Sequence, residues 1–142
     1  MVRVRIPATS ANLGAGFDSL GLAVNLYNYV DMEESDGIFI SSTDGTWVPT
    51  TKENLIYQSA QRLYDECGKK LCGLRIIQQN NIPMTRGLGS SSACIVGGLA
   101  AANQMLGNPL GLDDMVGLAS DIEGHADNTT PALLGGIVTA VL

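Results

Sequence analysis

An α+β fold, a mostly antiparallel sheet packed with helices, follows from three features of the sequence. The first third of the chain alternates apolar and polar residues and is broken by Gly- and Asp-containing turn signals. Two later stretches carry apolar residues at helical spacing. The chain then closes on the apolar run from Gly136 to Leu142.

The elements follow in order. Val2 to Ile6 alternates apolar and basic residues, a half-buried strand that Pro7 is expected to end. Ala8 to Asp18 is a loop of small residues with neither period. Leu22, Val24 and Leu26 restart an alternation running to about Met32. Ser35, Asp36 and Gly37 predict a hairpin, with Ile38 to Ile40 as its returning strand. Asp44 and Gly45 mark a further turn. Leu55, Ile56, Ser59, Ala60, Leu63, Tyr64 and Cys67 share one helical stripe, and Gly68 suits the position after the helix. Leu74 to Gln78 reads as a strand. A helix is predicted from about Ser91 to Leu106, ended by Gly107, Asn108 and Pro109. Ala93, Gly97, Gly98, Ala100, Ala101 and Ala102 make that helix unusually slim, so it must lie close to something. Asp113 and Asp114 open another helix, where the dipole favours negative charge. Leu112, Met115, Val116, Ala119 and Ile122 form its expected buried face.

Composition narrows the function. Of 142 residues, 17 are glycine, and the net charge is −6. Average glycine usage is about 7%, so the excess points to backbone packed close to a ligand or to another helix. The acidic balance, with scattered Lys and Arg, argues against nucleic acid as a partner. No run approaches the roughly 20 apolar residues of a membrane span. Cys67, Cys72 and Cys94 offer no pair of C-x-x-C motifs, which predicts reduced thiols in a cytoplasmic protein. A Ser-His-Asp triad would have to use the single histidine, His125, and the absence of a G-x-S-x-G elbow argues against such a hydrolase. The same scarcity excludes a four-ligand zinc site.

Gly87, Leu88, Gly89, Ser90, Ser91 and Ser92 stand between a predicted strand and a predicted helix. Glycines let backbone N–H groups turn toward an anion, and a helix start adds free N–H groups and a positive dipole end. The alternative is a plain Gly-Ser linker. No Lys follows the glycines, so this is not a Walker A loop, and Ser92 breaks the dinucleotide pattern G-x-G-x-x-G. Asn12 and Asp18 flank Gly14 and Gly16, either as substrate ligands or as local turn formers. Glu123, near Asp127 and Asn128, is a candidate Mg²⁺ ligand or an exposed helix end. His125 reads as structural. Trp47 and Tyr57 read as core, with an adenine wall as the alternative. Asp31, Glu33 and Glu34 read as a solvated acidic strand end.

Three segments together resemble a known superfamily. Pro83, Met84, Thr85, Arg86, Gly87, Leu88, Gly89, Ser90, Ser91, Ser92 and Ala93 resemble the P-x-x-x-G-L-G-S-S-A phosphate loop of the GHMP small-molecule kinases. Pro7 to Asp18 is similar to the opening of the homoserine kinase branch. So is Glu123 to Asn128 followed by Pro131 to Gly136. The resemblance implies a ribosomal protein S5 domain 2-like fold, followed in the family by a ferredoxin-like C-terminal domain. It implies Mg²⁺ and ATP, and phosphorylation of the side-chain hydroxyl of L-homoserine, a step toward threonine.

The resemblance also implies site residues. Pro83 to Ala93 would wrap the ATP phosphates, and Asn54 lies in the region near the adenine. Ser91 matches a Mg²⁺-contacting hydroxyl. Asn12, Asp18 and Asn128 match positions that hold substrate. Other branches carry Asp near the position of Asn128, and an amide cannot accept the hydroxyl proton. Asp18 is therefore expected to orient the hydroxyl. The superfamily's Mg²⁺ glutamate falls at Gly117 by counting back along the chain, so Glu123 is its nearest substitute. The family chain is roughly twice this length, and a homodimer is a family expectation. Both that length and the closing apolar strand predict an N-terminal portion of a longer enzyme. Because Arg86 lies in the loop and Arg3 and Arg5 in a strand, few arginines are left for an amino-acid carboxylate, and this portion is expected to be inactive alone. The rival readings are a mevalonate-, sugar- or cytidylyl-erythritol-type kinase of the same superfamily, or a non-catalytic nucleotide-binding fragment. An RNA-binding module of the S5 type fits the fold but not the charge.

Overall fold

The computed structural model describes residues 1–10, 22–82, 90–124, 133 and 138–141. Strand alternation builds its sheet. In β1 (Val2–Ser10), Val2, Val4, Ile6 and Ala8 are buried on one face. Val30 and Met32 of β2 (Leu22–Glu34), Ile40 of β3 (Ile38–Ser42), and Leu74 and Ile76 of β4 (Leu74–Gln79) join them. With β5 (Val138–Val141) the strand order is β3-β4-β2-β1-β5. Every neighbouring pair is antiparallel except β3 with β4.

Two sequence expectations fail here. Pro7 does not end the first strand. It lies opposite Tyr27, while Ala8 lies opposite Val24, so the register shifts between them. A proline has no N–H for the ladder, and a bulge is one of the few sheet positions that tolerates it. Nor does the turn at Ser35 to Gly37 fold β3 back onto β2. β4 lies between them. The Ser35 N–H donates to the Gly73 carbonyl at 3.1 Å, and a Cβ on Gly73 would collide with the Gly37 carbonyl oxygen. Two residues without side chains let the start of β4 slip against the turn. Fully buried Leu74 and Ile76 belong in the sheet interior, whereas Phe39 of β3 is half exposed.

The acidic strand end is paired rather than merely solvated. Asp31 is buried, facing Arg3 across the ladder in a bidentate contact at 2.7 and 2.9 Å. Glu33 meets Arg75 at 3.2 Å, and the Arg75 guanidinium lies over the Phe39 ring. The Tyr64 hydroxyl donates to Glu34 Oε1 at 2.5 Å.

Among the described residues one helix, Ser90–Met105, lies on the apolar face of the sheet, with two further helices packed against it. α1 (Leu55–Glu66) is capped by Asn54 and is followed, as its sequence predicts, by Gly68, here at φ +67°. α2 (Ser90–Met105) is buried along nearly its whole length, and Gly107 at φ +83° follows it. α3 (Leu112–Glu123) packs on α2. Its fully buried residues are Leu118 and Ala119, with Met115, Val116 and Ile122 half-buried beside them. Leu112, expected in that face, is exposed, because it sits in the first turn beyond the helix's covered stretch.

The small residues of α2 have an identifiable cause. A Cβ on Gly97 would meet Ile6 Cδ1 at 3.0 Å and Val30 Cγ2 at 3.1 Å. One on Gly98 would meet the Ile56 carbonyl oxygen at 2.5 Å and Ser59 Cβ at 2.9 Å. Gly97 therefore sets the approach to the sheet and Gly98 the approach to α1. A Cβ on Gly117 of α3 would meet nothing within 4 Å. Urea unfolding should separate the two kinds of glycine. Gly98→Val is expected to lose at least about 2 kcal/mol through overpacking. Gly117→Ala should gain about 1 kcal/mol, the ordinary helix-propensity difference. Equal effects would disprove this account of α2.

Candidate functional site

α2 begins at Ser90, directly after the Gly87 to Gly89 stretch, and has no acidic residue in its first turn. Its free N–H groups and positive dipole end are thus not neutralised from within the helix. Ser90 is half-buried and Ser91 exposed. Ser92 is fully buried, and its Oγ has no hydrogen-bond partner. An orphaned buried hydroxyl costs about 1–3 kcal/mol, so its retention at a helix start suits a site that binds something. Ala93 is buried in the core behind it.

A polar network lies at the exit of β4, just before Pro83. Asn54 caps α1, its Oδ1 accepting from the Ile56 and Tyr57 N–H groups at 2.9 and 3.4 Å. Its Nδ2 donates to the Pro49 carbonyl at 2.9 Å and to Gln78 Oε1 at 2.8 Å. Gln78 Nε2 donates in turn to Asn80 Oδ1 at 3.3 Å. The N–H groups of Asn81 and Ile82 both donate to Asn28 Oδ1, at 2.7 and 2.9 Å. The Asn80 N–H donates to Asp44 Oδ2 at 2.6 Å. Asp44 also accepts from the Ser42 hydroxyl and the Thr46 N–H, and these bonds hold its carboxyl well below the usual carboxylate range.

The sequence-predicted residues are scattered over the described and the undescribed parts of the chain. Ser90, Ser91, Ser92 and Ala93 lie together in the first turn of α2. Asn12, Asp18, Pro83 to Gly89 and Asn128 lie outside the described residues, as does His125. Glu123 is the last residue of α3, half-buried and engaged with a neighbour. Among the described residues no group of three or more His, Cys, Asp or Glu could hold a metal ion. Asn54, expected near the adenine, caps α1, and all four of its side-chain hydrogen bonds are spent on the protein, leaving no polar capacity for a nucleotide. Tyr57 is core, as its sequence context predicts, whereas Trp47 is 80% exposed and belongs to neither the core nor a described pocket wall. Sequence reasoning missed Asn28, Asp44 and Gln78. Their signal was slight: an Asn and a Gln on the apolar-facing side of strands, where such residues are uncommon.

Comparison with known proteins decides the family. Residues 54–136 match the GHMP kinases N terminal domain. The chain belongs to the GHMP kinases. Over 145 residues this GHMP kinase domain is 48% identical to a homoserine kinase of Petrotoga mobilis, covering 100% of this chain and 47% of that protein. A crystal structure of homoserine kinase from Cytophaga hutchinsonii superposes with a TM-score of 0.79 at 33% identity, over 97% of this chain and 47% of that one. The Methanococcus jannaschii mevalonate kinase, 19% identical, shares the fold at a TM-score of 0.77, over 99% of this chain and 53% of that one. The chain spans about half the length of the curated relatives it matches. The α+β architecture is therefore that of GHMP kinase N-terminal domains. Among the described residues no helix is long and apolar enough to cross a membrane.

The three cysteines are free thiols. Burial within α2 pushes the Cys94 thiol up to about 11, whereas Cys72 is exposed. The thiolate is the reactive form, so a chromogenic disulfide reagent at pH 8 should label Cys72 within minutes and leave Cys94 untouched until denaturant is added. Prompt labelling of Cys94 in the native protein would contradict its placement.

Proposed function

We propose that this chain is the ATP-binding N-terminal part of a homoserine kinase, which transfers the γ-phosphoryl group of ATP to the side-chain hydroxyl of L-homoserine. The observation that carries the reading is the start of α2: a helix N-terminus with no acidic residue, fronted by a Gly-Leu-Gly-Ser sequence and backed by the unpartnered Ser92 hydroxyl. Anionic phosphate answers both the free N–H groups and the dipole end. The likeness to homoserine kinases along the whole chain supports the substrate.

In this reading Pro83 to Ala93 hold the triphosphate. Asn12, Asp18 and Asn128 hold L-homoserine, with Asp18 orienting its hydroxyl. The hydroxyl oxygen bonds to the γ-phosphorus as the bond to the bridging oxygen breaks. ADP leaves, and the proton passes to Asp18 or to the phosphate itself. Such transfers depend mainly on positioning and charge neutralisation, so an amide at position 128 is no obstacle. Mg²⁺ supplies charge neutralisation when bound with ATP. The Ser91 hydroxyl, exposed at the start of α2, and the Glu123 carboxylate are hard oxygen donors of the kind it takes. Asn54 acts from behind, fixing the start of α1 rather than bonding the nucleotide. Three free thiols support a reducing, cytoplasmic setting.

Arg is the natural partner for the amino acid's carboxylate, and the described Arg3 and Arg75 are already paired with Asp31 and Glu33. The test is ATP-dependent phosphorylation by this chain and by the full-length protein, with D-homoserine, L-serine and mevalonate as controls. Turnover of L-homoserine by the full-length protein alone is expected. Preference for mevalonate or a sugar would overturn the branch and leave the kinase reading standing.

Ser92→Ala gives a sharper check of the helix start. Removing an unpartnered buried hydroxyl should raise the melting stability of the nucleotide-free protein by about 1 kcal/mol while weakening Mg-ATP binding. A loss of stability without loss of nucleotide affinity would make Ser92 purely structural.

A further inference from the structure

Three successive backbone N–H groups, those of Asn80, Asn81 and Ile82, are each taken by a side-chain oxygen from another part of the fold. The β2–β4 ladder ends at the pair Tyr29 and Gln79. Beyond it β4 leaves the sheet, and its next donors would be orphaned. Asn28, one residue past that last pair on β2, accepts two of them through a single oxygen while 4% exposed. Asp44, on the turn after β3, accepts the third from the other side. The Asn81 side chain adds a bond of its own, Nδ2 donating to the Tyr27 carbonyl at 2.9 Å. Ile82 is then buried, and the next residue is Pro83, which has no N–H to satisfy.

We propose that Asn28 and Asp44 are positioning residues for nucleotide binding, clamping residues 80–82 from two sides so that the chain enters the Pro83 to Ala93 segment along one fixed path. The inference rests on the kinase reading above. Neither side chain needs to touch ATP. Each acts through the backbone, and misplacement of a phosphate-binding segment by even about 1 Å is costly to catalysis. A clamp of this kind stabilises the segment before the nucleotide arrives, so its loss falls on the ATP term and spares the second substrate.

The test uses the full-length protein and steady-state kinetics with Mg-ATP and L-homoserine varied separately. Asn28→Leu keeps volume and removes the acceptor; it should raise the KM for Mg-ATP about tenfold and leave the KM for L-homoserine within about twofold. Asp44→Ala, on an exposed turn and so expected to fold, should raise the KM for Mg-ATP about threefold. Asn28→Asp keeps an oxygen in place and should recover most of the loss. Tyr64→Phe, which removes the bond to Glu34 away from the clamp, should lower the melting temperature without moving either KM. If Asn28→Leu does not fold, Asp44→Ala carries the test alone. Unchanged KM for Mg-ATP in both clamp variants, parallel rises for the two substrates, an equal rise in Tyr64→Phe, or an Asn28→Asp as impaired as Asn28→Leu would each overturn the proposal. Failure of the unsubstituted protein to phosphorylate L-homoserine would instead overturn the kinase reading.

Discussion

The close approach of α2 to both the sheet and α1 is the constraint on which the rest depends. A helix that is apolar on every side has no face to give to water and must be enclosed. Here two adjacent glycines serve two neighbours, Gly97 the Ile6 and Val30 side chains and Gly98 the backbone of α1. Each glycine costs about 1 kcal/mol of helix propensity. Close packing against two layers offsets that, and it leaves α2 no freedom to slide. The hydroxyls of Ser90, Ser91 and Ser92 are carried on the first turn of this fixed rod.

The approach to α2 is fixed by different chemistry. Residues 80–82 are held by directional hydrogen bonds, and Ile82 by burial. Ile82 and Ser90, the described residues on either side of positions 83–89 in sequence, are therefore both placed by the fold. Gln78 joins the end of β4 to the start of α1, because Asn54 bonds both Gln78 and its own helix. One polar network thus relates three elements that the hydrophobic core alone would leave free to shift.

What the sequence made legible was local. The bounds of α1 and α2 came within about a residue because their apolar stripes, and Gly68 and Gly107 just beyond their ends, are signals whose physics is near in sequence. The hairpin at Ser35 to Gly37 was misread because pairing is a non-local choice. Nothing in those three residues says that Leu74 to Gln79 will insert beside them; the close approach of Gly37 and Gly73 became visible only in three dimensions. Asp31 and Glu33 were likewise misread, since their partners Arg3 and Arg75 are set by strand register. The bonding of Asn54 was not legible, because a sequence match does not count how many bonds an amide has left. The Gly-Leu-Gly-Ser sequence was legible as a motif; the hydrogen bonds before it from Asn28 and Asp44 were not.

Where the fold leaves polar groups unsatisfied is itself informative. Among the described residues three buried side-chain atoms lack partners: Arg5 Nε, Asn80 Nδ2 and Ser92 Oγ. The Arg5 guanidinium lies 4.3 Å from the centre of the Tyr27 ring, which compensates it in part. The other two bracket the segment from Pro83 to Gly89, one at each end. A core designed for stability alone would have filled both positions with apolar groups or bonded them. Local violations of this kind gather where a site must meet something that is not yet there. At Asn80 the Oδ1 is held by Gln78 and the N–H by Asp44, so among the described residues its Nδ2, like the Ser92 hydroxyl, is a buried polar group that the protein itself does not use.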